Sequence, residues 1–303
     1  MSQHRFSYLA SAMALGAGAI WSLGAITARL ADGADAFQYL IWRSIGIIVV
    51  VEVLYKIRRQ PVQLVRAYTS GVPMLLANVM LLLASIGFVY AVKTTTAANA
   101  AFLASTTPVW GVLFARVFLH ERLTRITIAT VCVAFVGLFV MVAGDLSAGN
   151  MVGNIAALSS SFGFAAYTVV VRSNPKEDWS PVLPGYGVLM IAICGIVTIA
   201  HGKTLVPPAS DVGWALLHGG VFIVVGTVLF NVASRRVPAA AMTVFSQSEM
   251  VLVPVWSFVV LSETPKGTTL LGGAIVFAAI LGKAFADARS PEPHPAPAME
   301  PVL

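Results

Sequence analysis

Ten times along the 303-residue chain, an apolar stretch long enough to cross a lipid bilayer recurs. The approximate bounds are 6–28, 36–57, 71–92, 95–118, 124–143, 150–172, 183–200, 211–234, 238–261 and 268–287. Inside hydrocarbon a backbone amide finds no water, so such a stretch must satisfy its own hydrogen bonds as a helix. The expected fold class is an all-α integral membrane protein with ten transmembrane helices. A soluble domain would carry about a quarter charged residues; this chain carries 11%, with a mean hydropathy of +0.85. Near the N-terminus Arg5 precedes an apolar run with small residues at Ala10, Ala12 and Ala14, but the run continues through Trp21 to Ala28. That exceeds a signal-peptide core, so a retained first span is expected. Prolines dominate the last stretch, 288–303, which is expected to be a disordered cytoplasmic tail.

The net charge of +6 calls for no nucleic-acid partner. Cytoplasmic loops of membrane proteins collect Lys and Arg. With ten crossings, 14 of the 19 basic residues fall on the side holding both termini, and five fall on the other side or in the outer half of a span: Arg29, Arg43, Lys93, Lys203 and Lys266. This bias places both termini in the cytoplasm, with the chain in the cytoplasmic (inner) membrane as a multi-pass protein. Cys132 and Cys194 sit in apolar runs and read as buried side chains, neither disulfide nor metal ligands. The five histidines are scattered or terminal, and no metal-ligand spacing or glycine-rich phosphate loop occurs. An enzyme, a metal site or a cofactor is therefore not expected.

The chain also repeats itself. Residues 105–121, STTPVWGVLFARVFLHE, lie over 247–263, QSEMVLVPVWSFVVLSE, and Trp21–Arg29 lies over Phe164–Arg172. The offsets are 142 and 143. The expected division is a first five-helix repeat at 1–146 and a second at 147–287. Because five is odd, the second repeat enters the membrane inverted, an arrangement typical of secondary transporters.

The segment AIWS around Trp21 and the Pro-then-Glu helix from Pro108 to Glu121 resemble the drug/metabolite transporter superfamily, in its ten-span EamA family. The resemblance covers about 1–287. The second repeat departs from the pattern, with Met250 aligned on Pro108 and a proline four residues later at Pro254. The resemblance implies export of amino acids or other metabolites; FGFAAYTVV and AIWS look most like exporters of neutral and aromatic amino acids. It also implies that the first, third, fourth, sixth, eighth and ninth helices line a central cavity, with the fifth and tenth as outer scaffold. Those two are nearly devoid of polar groups, and the tenth carries a small-residue stripe at Ala274, Ala278 and Gly282, suited to packing or to a homodimer contact.

Polar and aromatic groups at mid-span nominate the site. Glu249 lies near the centre of the ninth span, where an acidic side chain costs roughly 2.5 to 3.5 kcal/mol. Such a group faces a polar cavity or a partner; it would bind a substrate ammonium, carry a proton, or pair with Arg43. For Arg43 the favoured readings are snorkelling towards Tyr39 and Trp42 or a structural pair, with attraction of a substrate carboxylate as the alternative. In the fourth span Asn99, Ser105 and Thr107 either line the cavity or bond back to their own helix. Asn78 in the third span adds an amide. Trp21, Phe164 and Tyr167 lie midway in symmetry-related helices and offer rings to a substrate or to the core. Pro108 and Pro254 are expected to bend their helices during gating. Glu52 is expected to pair with Lys56, and Trp42, Trp179 and Trp214 to anchor at the interface. The expected function is a secondary transporter, with a small-molecule substrate and lipid as its partners. It is expected to export amphipathic metabolites, amino acids foremost, by alternating access. An exporter of cationic drugs or quaternary ammonium compounds and a lipid flippase are the alternatives.

Overall fold

The computed structural model describes residues 2–95, 97–121, 123–142, 150–262 and 266–289; the expected tail and the side chain of Asn99 lie outside the described residues. Among the described residues every regular element is helical. In chain order these are α1 (Ser2–Leu30), α2 (Ala36–Ile57), α3 (Gln63–Thr69), α4 (Val72–Thr94), α5 (Ala97–Ala104), α6 (Thr107–Phe118) and α7 (Arg125–Val142). The second half supplies α8 (Met151–Ser173), α9 (Val182–Ala200), α10 (Ala209–Leu217), a π-helical stretch (His218–Ile223) and α11 (Val224–Ser234). It ends with α12 (Ala239–Phe245), α13 (Ser248–Leu261) and α14 (Gly267–Arg289). Among the described residues, six helical stretches are long and apolar enough to cross a membrane, and three more apolar helices run 10–17 residues.

Local sequence sets several boundaries. Asp35 accepts hydrogen bonds from the amides of Phe37 and Gln38 while the Gln38 side chain accepts from the Asp35 amide, a capping box that starts α2. Asn150 caps α8 in the simpler way. Glu52 does not pair with Lys56. Its carboxylate instead accepts from the amides of Gln63 and Leu64 at the start of α3, because orphan helix amides are better donors than a solvated ammonium is a partner. Trp179 is buried, its indole donating to the Asn174 carbonyl, so it is a core residue and not an interface anchor.

Two apolar stretches are broken at matching places. The fourth splits into α5 and α6 at Ser105–Thr106, and the ninth into α12 and α13 at Ser246–Gln247. In the first, Pro108 has no amide to give the Ala104 carbonyl, and the Thr107 hydroxyl donates to it instead. In the second there is no proline at the break. The Ser246 hydroxyl and the Gln247 amide both turn onto the Thr243 carbonyl and compete with the helix ladder. Pro254 lies inside the continuous α13, eight residues past Ser246.

The most extensive helix pairings cross between the halves: α4 with α8, α1 with α11, α2 with α9 and α7 with α14. Glycines permit the close approaches. A Cβ on Gly87 would lie 2.6 Å from the Ala156 carbonyl oxygen, and one on Gly163 would lie 2.7 Å from that of Met80. The α7–α14 crossing uses Gly137 and Gly272, each against the other's carbonyl. The stripe Ala274, Ala278 and Gly282 faces outward instead.

Candidate functional site

The sequence-nominated rings meet. Trp21 of α1 packs edge-on against Phe164 of α8 at 5.6 Å between centroids, and both contact Phe230 of α11 at 5.4 and 5.3 Å. Tyr167 lies 6.2 Å from Phe230, nearly parallel, and its hydroxyl donates to Asn231 Oδ1 at 2.6 Å. Phe230 was not singled out in the sequence, because one more phenylalanine in an apolar helix carries no signal. Gly226, one turn before it, makes room for the Trp21 indole, whose buried Nε1 has no hydrogen-bond partner.

One turn before Trp21 on α1, Gly18 lies against the second helix break: a Cβ there would come 3.0 Å from the Ser246 carbonyl oxygen and 3.1 Å from the Glu249 amide. Ser248 donates to the Leu15 carbonyl and Trp256 to Ser22, so α1 and α13 are stitched on both sides of this point. Glu249 stands in the first turn of α13, half-buried. It has no hydrogen-bond or ion-pair partner among the described residues. The pairing with Arg43 is absent. Arg43 is 4% exposed and donates to the Ser85 hydroxyl of α4, so it neither snorkels nor pairs.

The remaining nominated residues are placed apart from the rings. Asn78 is buried early in α4, donates to the Ala67 carbonyl and packs against Gly185 of α9. Ser105 and Thr107 are buried at the first break, and Thr106 between them reaches Ser161 of α8 at 2.8 Å.

At the face where α1 begins, four helix ends converge. The Glu121 carboxylate accepts from the Ala239 amide at 3.2 Å and lies 3.5 Å from Arg172 Nε. Arg172 also donates to the carbonyls of Ser234 and Arg235. Burial pushes the Glu121 carboxyl above its ordinary value, and the Ala239 amide and Arg172 offset part of that rise. At the opposite face a cavity of about 470 Å³ is lined by residues that include Asp32, Asp35, Phe37, Tyr90, Thr94 and Lys203. Burial would raise Asp35, but the Gln38 amide and Lys203 outweigh it and hold the carboxyl below its usual range.

Apolar helices long enough to cross a membrane, packed together as a bundle, define a multi-pass membrane protein. The particular family follows from comparison: a model of the EamA-like transporter family matches residues 9–143 and again 151–283. The chain belongs to that family, and its two halves are two copies of one unit. It is 27% identical over 215 residues to the pseudopaline exporter CntI of Pseudomonas aeruginosa, in two strains, covering 70% of this chain and 75% of that protein. A solved crystal structure, 19% identical, superposes with a TM-score of 0.75 over 92% of this chain and 97% of its own, which establishes the shared fold.

Proposed function

We propose that this EamA transporter exports small amphipathic metabolites, foremost neutral and aromatic amino acids, across the cytoplasmic membrane by alternating access through ten crossings with both termini inside. The carrying observation is the pair of helix breaks at repeat-related positions, one of them bearing a carboxylate with no partner among the described residues. Irregular backbone at membrane depth is tolerated where it is buried in protein or lines a water-filled cavity. Glu249 supplies charge compensation for an ammonium, and Trp21, Phe164 and Tyr167 supply ring surface when the packed cluster opens. The exporter named among the relatives speaks for outward movement.

Glu121 and Arg172 close the inner face in this reading. Their repeat counterparts are Glu263 and Arg29. Glu263 lies outside the described residues. In the proposal these two close the outer face in the opposite state, so each half contributes one charge to each closure.

The test is purified protein in liposomes given labelled phenylalanine, with a quaternary ammonium as competitor. Phenylalanine should move and Glu249→Gln should slow it at least tenfold. Unchanged flux in Glu249→Gln removes that carboxylate from the site. Movement of the ammonium alone favours the cationic-drug reading, for which an unpartnered carboxylate is equally suited.

A further inference from the structure

A second charge has no countercharge among the described residues. Arg43 lies seven residues into α2, about 10 Å from its first residue at 1.5 Å per residue. Its guanidinium carries five donors, but one nitrogen meets Ser85 and the buried Nε has no hydrogen-bond partner. No carboxylate among the described residues lies within ion-pair reach. The neighbouring Ser44 hydroxyl is likewise buried without a partner. An uncompensated buried cation is strongly unfavourable, and within a membrane it marks a ligand path.

The surroundings aim this group inward. Tyr39, one turn earlier on the same face, bonds His218 at 2.8 Å and Thr27 of α1 at 3.2 Å. That face therefore looks onto α1, the π-helical stretch and α4. The stretch is pressed against α2: a Cβ on Gly219 would coincide with the Arg43 carbonyl, and one on Gly46 would lie 2.6 Å from the Leu216 carbonyl oxygen. Widened turns of this kind recur at functional sites. The cavity at the opposite face is lined by Phe37 of α2 and Tyr90 of α4, with their rings 5.9 Å apart. Arg43 and Ser85 lie on the same two helices, six and five residues further in.

We infer that Arg43, with Ser85 and Ser44, is a carboxylate-binding subsite on the path between Glu249 and that cavity. A carboxylate accepts charge-assisted hydrogen bonds from a guanidinium, and here the buried Nε is an open donor beside the Nη2 that meets Ser85. Along α1, Gly18 marks the level of Glu249 and Gly24 that of His218, six residues or about 9 Å apart. His218 bonds Tyr39, and Arg43 lies one turn further in than Tyr39, nearer the level of Glu249. This inference rests on the export reading for its direction, but not for the binding it asserts.

The experiment uses the full chain in detergent, with benzoate, phenylalanine and phenethylamine as probes in titrations read by thermal shift. Benzoate and phenylalanine should stabilise the wild type. Arg43→Gln should weaken both by roughly tenfold to hundredfold, the range of a charge-assisted hydrogen bond. Phenethylamine, which lacks the carboxylate, should bind both proteins alike within about twofold. Arg43→Lys keeps the charge but loses the paired geometry, and it should weaken carboxylates several-fold. It carries the test if Arg43→Gln does not fold. No stabilisation of the wild type by any carboxylate overturns the subsite, as does carboxylate binding unchanged in the variants. So does equal weakening of phenethylamine. If carboxylates bind through Arg43 but phenylalanine is not transported, the subsite stands and only the export reading falls.

Discussion

Removing Arg172 should unlatch the face it closes. Its side chain is 6% exposed and that of Glu121 is 13% exposed, so their attraction is only partly screened. Breaking a buried pair by deleting one partner costs about 3–5 kcal/mol, mostly from the charge left behind. Here Nε and the carboxylate are 3.5 Å apart without a formal hydrogen bond, and the Ala239 amide continues to serve Glu121. The cost therefore falls at or just below the bottom of that range, about 2–3 kcal/mol, or a factor of roughly 30 to 150 in the closed-to-open ratio. The readout is maleimide labelling, from the side of the termini, of a single cysteine replacing buried Ala240 of α12, with Cys132 and Cys194 removed. Arg172→Met should label faster by that factor. Adding Glu121→Gln should restore slow labelling, because a neutral carboxamide needs no cation. The sign with pH follows from the raised Glu121 carboxyl. Its contribution to the closed state is full below the ordinary carboxylate value and is lost as pH climbs through the raised one. Wild-type labelling should therefore quicken over that window and be flat in Glu121→Gln. Equal labelling of wild type and Arg172→Met at every pH would refute the reasoning.

Three further outcomes are expected. Tyr167→Phe leaves buried Asn231 Oδ1 without its donor and should lower stability by about 1–3 kcal/mol, read by thermal unfolding in detergent. Gly219→Ala forces a methyl onto the Arg43 carbonyl and should abolish folding, whereas Gly213→Ala, with nothing within 4 Å, should be neutral by size-exclusion yield. The lowered Asp35 carboxyl stabilises the fold above the ordinary aspartate value and loses that contribution as pH falls through the lowered one. Asp35→Asn should accordingly flatten the acid limb of the melting curve below about pH 4.

Hydropathy made the helical stretches legible because lipid leaves the backbone no other option. The chain's self-similarity made the two repeats legible. The ring cluster was half readable: Trp21, Phe164 and Tyr167 share symmetry-related positions, while Phe230 is one apolar residue among many. The break before α13 was not readable. A proline marks where a backbone bond is missing, but the break there comes from Ser246 and Gln247 side chains competing for the Thr243 carbonyl, a contest that no residue spacing reveals. Arg43 was misread for a related reason. Its depth in α2 was visible, yet whether the guanidinium turns to water or to Ser85 depends on which helix lies alongside.

The glycine seams have a mechanical consequence. Where one backbone rests directly on another, as between α4 and α8, α7 and α14, or α2 and the π-helical stretch, neither helix can slide without its neighbour. Each of these couples joins a helix of one sequence repeat to a helix of the other. In the alternating-access reading proposed above, the pieces that swing would therefore be hybrids assembled across the two repeats.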